Sequence, residues 1–188
     1  EGGDYVTLAA ALERDQIIDW GMTERIANAP DDQTRQVLLD GAMDRSARTE
    51  RFDSYSDALT HFEAEVAANP NLEWGLVEFR HGGRGFGVVR GEARSVPNDP
   101  TVARMRMHNH PTSDGTYDGV TAMPSLGDGD LSVGFTESRR SGRPYMQGVL
   151  LQTDEGQLTI PLMADASVNT AWFDLQAPDG EYIRAHFE

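Results

Sequence analysis

Apolar positions recur at helical spacing through the first third of the chain and then give way to short β-branched and aromatic runs separated by glycine. Residues 5–68 are rich in Ala, Glu, Asp, Gln and Arg with few glycines, so this region reads as helical. Leu8 and Leu12 repeat at i, i+4, and Val37, Leu38 and Met43 mark a second amphipathic stretch after Pro30-Asp31-Asp32. A third helix is the clearest. Leu59, Phe62 and Val66 fall at i, i+3, i+7, Ser54 or Ser56 is placed to cap it, and Asn69-Pro70 stops it.

After Pro70 the pattern predicts a strand over 72–79, a turn at His81-Gly82-Gly83-Arg84-Gly85 and a hairpin partner over 86–90. These glycines lack the GxGxxG spacing, so they are turn and strand glycines rather than a phosphate loop. Residues 102–110 read as another strand, followed by a Gly- and Asp-rich loop over 111–124. A short helix is predicted from Ser125, carrying Leu131, Val133 and Phe135 and ending at Arg139-Arg140-Ser141-Gly142. Strands over 145–152 and 157–163 flank the turn signal Thr153-Asp154-Glu155-Gly156, and a last pair over 171–175 and 181–187 surrounds Ala177-Pro178-Asp179-Gly180. Helices first, then a largely antiparallel sheet with one inserted helix, make the class α+β or mixed α/β.

A length of 188 residues suits one core with a small appendage, and 38% hydrophobic with 25% charged residues is the composition of a folding chain. The formal charge of -15 repels a phosphate backbone or an anionic membrane, so neither nucleic acid nor membrane is an expected partner. All 16 basic residues are arginines and there is no lysine. That is either a compositional bias or a means of offering lysine-directed conjugation no side-chain amine. With no cysteine, disulfides, thiolate catalysis and Cys-based zinc sites are excluded, and any metal must be held by His and carboxylate. No stretch approaches the length of a membrane span, and Glu1-Gly2-Gly3-Asp4 lacks the basic and apolar regions of a signal peptide, which leaves the compartment open between cytoplasm and secretion as an effector.

His108-Asn109-His110-Pro111 carries the most chemistry. On a strand the two histidines project from one face, close enough to share one ion, while Ala103, Met105 and Met107 take the opposite parity and suit a core. The plainer alternative is two surface histidines on an exposed strand. Downstream, Ser125-Leu126-Gly127-Asp128 offers a third ligand in Asp128, although Ser-x-x-Asp at a helix start also reads as a capping box. Two imidazoles, one carboxylate and water form an open zinc site of the hydrolytic kind. Such a site needs a base, and the candidates Glu73 and Glu78, five positions apart, face opposite sides of their strand, so only one reaches the metal.

Glu73-Trp74-Gly75-Leu76, then His108-Asn109-His110-Pro111, then Ser125-Leu126-Gly127-Asp128 resembles the JAMM signature of the JAB/MPN metallopeptidases: an upstream glutamate, HxHP, then SxxD. Pro124 before Ser125 is similar to the RadC branch, and Asn71 to Gly75 with a glycine hairpin behind resembles JAB-like domains of bacterial polymorphic toxins. The resemblance covers about 70–163. It implies a JAB/MPN-like, cytidine-deaminase-like mixed sheet flanked by helices over 70–188, preceded by a helical region over 1–69. It implies Zn2+ held by His108, His110 and Asp128, Glu73 as general base, and Ser125 stabilising the oxyanion. The activity it implies is cleavage of peptide or isopeptide bonds in a protein or peptide substrate, including conjugates of ubiquitin or a ubiquitin-like protein. The alternative is a non-catalytic JAB-fold binding module or toxin-associated adaptor; DNA processing by analogy with RadC is opposed by the charge.

Three features depart from the family pattern: the long 111–124 loop, a candidate lid; Arg104 and Arg106 on the histidine face; and the N-terminal helical region. Asp114-Gly115, Asp118-Gly119 and Asp128-Gly129-Asp130 miss the EF-hand spacing and read as turns. Trp20, Trp74 and Trp172 read as core or rim aromatics, and His61, His81 and His186 have no partner at ligand spacing.

Overall fold

A computed structural model describes residues 3–81, 85–111, 129–153, 156–176 and 182–187, with side chains described outside 151–158 and 173–187. The protein is mixed α/β, and its chain divides into two compact units. Among the described residues no helix is long and apolar enough to cross a membrane.

The first unit comprises Glu1–Glu63, Gly75–Gly91 and Val96–Met105. It holds α1 (Gly3–Arg14), α2 (Met22–Ala27), α3 (Asp32–Ala47), β1 (Thr49–Phe52), most of α4 (Tyr55–Ala68) and of β2 (Trp74–Phe79), β3 (Phe86–Arg90) and the start of β4 (Ala103–His110). The hydrogen-bonded strand order is β1-β3-β2-β4. Asp31 caps α3 by accepting the Thr34 N–H at 2.7 Å, and Ser54 caps α4, its hydroxyl accepting the Asp57 N–H and donating to the Asp57 carboxylate.

The sequence pattern finds these helices but not always their inner faces. Phe62 and Val66 of α4 are buried as expected, whereas Leu8 of α1 and Val37 and Met43 of α3 are exposed, Val37 by 65%. Ala9, Leu39 and Ala42 are buried instead, in a core shared with Ile18, Met22, Ile26, Val77, Val89 and Met105. Small alanines allow close helix approach, which a pattern that weights large apolar side chains overlooks. Two elements of the region read as helical were not anticipated: α2, and β1, which interrupts the helices and pairs antiparallel with β3 from Thr49↔Val89 to Phe52↔Phe86.

An arginine–aspartate cluster lies in this unit. Buried Asp19 receives Arg45 Nε at 3.0 Å and Arg51 Nη2 at 2.5 Å, while Asp99 pairs with Arg25 and with Arg45 at 3.8 Å. Burial raises the Asp99 pKa, but hydrogen bonds from the Thr101 hydroxyl and N–H, with the Arg25 and Arg45 charges, outweigh it and leave the carboxyl below its ordinary value. A depressed folded pKa contributes stability above the unfolded value of about 3.9 and loses it as pH falls through the folded value. Urea unfolding at about pH 5 and about pH 2 should therefore show a larger acid loss in wild type than in Asp99→Asn; equal losses would refute this contribution.

The second unit comprises Ala64–Trp74, Glu92–Ser95 and Arg106–Glu188. In it the end of β4 runs parallel to β5 (Tyr145–Thr153), and β6 (Gly156–Asp165), β7 (Thr170–Gln176) and β8 (Tyr182–Phe187) follow in antiparallel order. The parallel pairing requires a crossover, and α5 (Asp130–Ser141) provides it. Gly129 caps α5 and left-handed Gly142 ends it, and the predicted start at Ser125 lies outside the described residues. The expected pairing across Thr153↔Gly156 is present.

Leu131 and Phe135 of α5 pack with Val149, Ile160, Leu162, Ala164 and Ala171. Gly134 marks the closest approach: a Cβ there would stand 2.9 Å from the Ala164 Cβ. Residues 82–84, 112–128, 154–155 and 177–181, which include Ser125, Asp128, nearly all of the loop and parts of three predicted turns, lie outside the described residues.

Candidate metal centre

Alternation along β4 buries Ala103 and Met105 on one parity and places His108 and His110 on the other, as the sequence suggests. Register explains where the histidines point. His108 pairs with Val149 in the parallel ladder, directly opposed residues share a face, and Val149 packs against Leu131 of α5. The histidines thus stand at the carboxyl end of β4 on the face that α5 covers, where the first residue of that helix, Asp130, arrives.

The Nε2 atoms of His108 and His110 are 3.0 Å apart. The Asp130 carboxylate places Oδ1 3.1 Å from His108 Nε2 and Oδ2 3.3 Å from His110 Nε2. Ligand atoms of all three residues fall within 4.8 Å of one another. His108 is buried, and His110 and Asp130 are half-buried. Two imidazole nitrogens and a carboxylate oxygen this close together could hold a metal ion, and they are the donor types of an open, three-ligand zinc site.

Glu73 lies one residue before β2 rather than within a strand, and half-buried. Burial raises its pKa; the nearby His108 and His110 lower it and Asp130 raises it again, leaving the carboxyl above its ordinary value. The glutamate is thus within electrostatic reach of all three residues of the cluster. Glu78, the other candidate, is on β2 within the first unit.

Asp130 is not the carboxylate that the motif points to, since Asp128-Gly129-Asp130 reads from sequence as a turn. The available signal was the Gly129-Asp130 step, a permissive cap followed by an acidic residue in the first turn of α5. Asp128 and Ser125 carry no structural placement. Asn109, between the histidines, is more deeply buried than either of them at 1% exposure, and no pattern in the sequence singles it out. Comparison with protein-family models, curated proteins and solved structures finds no match.

Proposed function

We propose that this chain is a zinc-dependent hydrolase of the JAMM type, with a JAB/MPN-like fold, that cleaves peptide or isopeptide bonds in protein substrates. The observation that carries the reading is the proximity of His108, His110 and Asp130, with a glutamate of raised pKa within electrostatic reach. His108, His110 and Asp130 would hold the ion. Bound zinc supplies Lewis acidity and makes water nucleophilic near neutral pH.

Glu73 does the proton work. Its carboxylate takes a proton from the attacking water and returns it to the departing nitrogen, and a pKa raised towards the working pH suits both transfers. Ser125 is assigned to the oxyanion on resemblance alone, and conjugates of ubiquitin-like proteins are the substrate class on the same ground.

The test is zinc loading followed by a screen of C-terminal fusions and isopeptide conjugates of ubiquitin-like proteins alongside generic peptides. Hydrolysis should require zinc, vanish on chelation and return when zinc is restored. A wild-type protein that takes up no zinc when supplied with it overturns the reading. Stoichiometric zinc without hydrolysis would favour a binding module of the same fold.

A further inference from the structure

Asn109 makes two hydrogen bonds to backbone groups on either side of Glu73. Its Oδ1 accepts the Trp74 N–H at 2.6 Å, and its Nδ2 donates to the Leu72 carbonyl at 3.0 Å. The Glu73 N–H meanwhile donates to the Glu92 carbonyl at 2.7 Å. In extended backbone the carbonyl of one residue and the N–H two positions on point to the same side, while the N–H of the residue between points to the other. Glu73 is therefore held along both edges of its own peptide segment.

From this geometry we infer that Asn109 is a positioning residue that fixes the backbone of Glu73 relative to the strand bearing His108 and His110. A side-chain amide is the group for this role, because it presents one acceptor and one donor with the spacing of a peptide unit. A serine is too short to reach both partners, and an aspartate lacks the donor. The bond to Trp74 is buried and the bond to Leu72 part-buried, so the amide supplies partners that water reaches poorly there. The consequence for catalysis rests on the hydrolase reading, which gives Glu73 the proton; the clamp itself does not.

The experiment uses the full chain with Asn109→Leu, which removes both bonds while keeping the branched skeleton of the side chain. Asn109→Ser, which leaves room for a water to satisfy both backbone groups, stands in should the leucine variant fail to fold. Zinc ion is the binding probe, backbone amide exchange is followed in zinc-free protein, and kcat and KM are measured separately.

Zinc stoichiometry should be unchanged, and the Glu73 and Trp74 amides should exchange about 10–100-fold faster while Val149 and Leu150 on β5 keep their wild-type rates. For an active enzyme, kcat falls and KM does not. Unchanged exchange at Glu73 and Trp74 overturns the clamp. Acceleration that extends to β5, or loss of zinc, makes Asn109 a general structural residue and overturns it as well. A wild type that hydrolyses nothing defeats the hydrolase reading alone, since the zinc and exchange measurements still decide the clamp.

Discussion

Glu73→Gln is expected to lower kcat by about 10²–10⁴ while leaving zinc stoichiometry intact. Glutamine keeps the shape and the hydrogen-bonding edge of the side chain but can neither take a proton from water nor return one to the leaving nitrogen. The same substitution has an opposite effect on stability. Because burial raises the Glu73 pKa, its favourable contribution is full below the unfolded value and is lost as pH rises through the folded value. At neutral pH the zinc-free glutamine variant should melt above wild type, with the difference closing as both are acidified. A variant that loses activity and also melts lower at neutral pH would point to damage rather than to a missing base.

His108→Ala should abolish stoichiometric zinc uptake, and Asp130→Ala should do the same. Removing one of three protein ligands weakens an open site more than loss of an orienting partner, which alone costs 10–100-fold. At a zinc concentration about 100 times Kd the ion stabilises the native state by about 2.7 kcal/mol, and a hundredfold weaker site retains about 0.4 kcal/mol. Metal content by mass spectrometry and the zinc-dependent shift in Tm report this independently. Asp128→Ala measured beside Asp130→Ala separates the two carboxylates: on the proposed site, with Asp130 beside both histidines, its loss should be the one that empties the site. Zinc retained by Asp130→Ala and lost from Asp128→Ala would return the third ligand to the position the SxxD motif indicates.

Much of the site could be read before the fold was known because its grammar is local. Alternation on one strand puts His108 and His110 together whatever surrounds them, and the run of Met105 and Ala103 on the other parity confirms the strand. The residues that were not legible depend on tertiary register. Asp130 is a ligand candidate only because α5 crosses over β4 and starts at that residue, and Asn109 matters only because the 72–74 segment runs beside it. The N-terminal helices show the same division: caps and breakers such as Asp31, Ser54 and Asn69 act within a few residues and were recognisable, whereas choosing Ala9 over Leu8 for the core needs knowledge of what lies opposite.

The Gly134–Ala164 contact bears on the proposed metal site. One turn after Asp130, α5 is seated on β6 so closely that no side chain fits between, and Leu131 is packed beside it. The helix backbone that carries Asp130 is therefore placed by helix-on-sheet packing. On the proposed reading zinc would add to the stability of a unit that is already folded, in contrast to a zinc finger, whose binding and folding are one event. The zinc-free protein should accordingly keep its tertiary structure, and its affinity should be spent on selecting the ion rather than on ordering the chain.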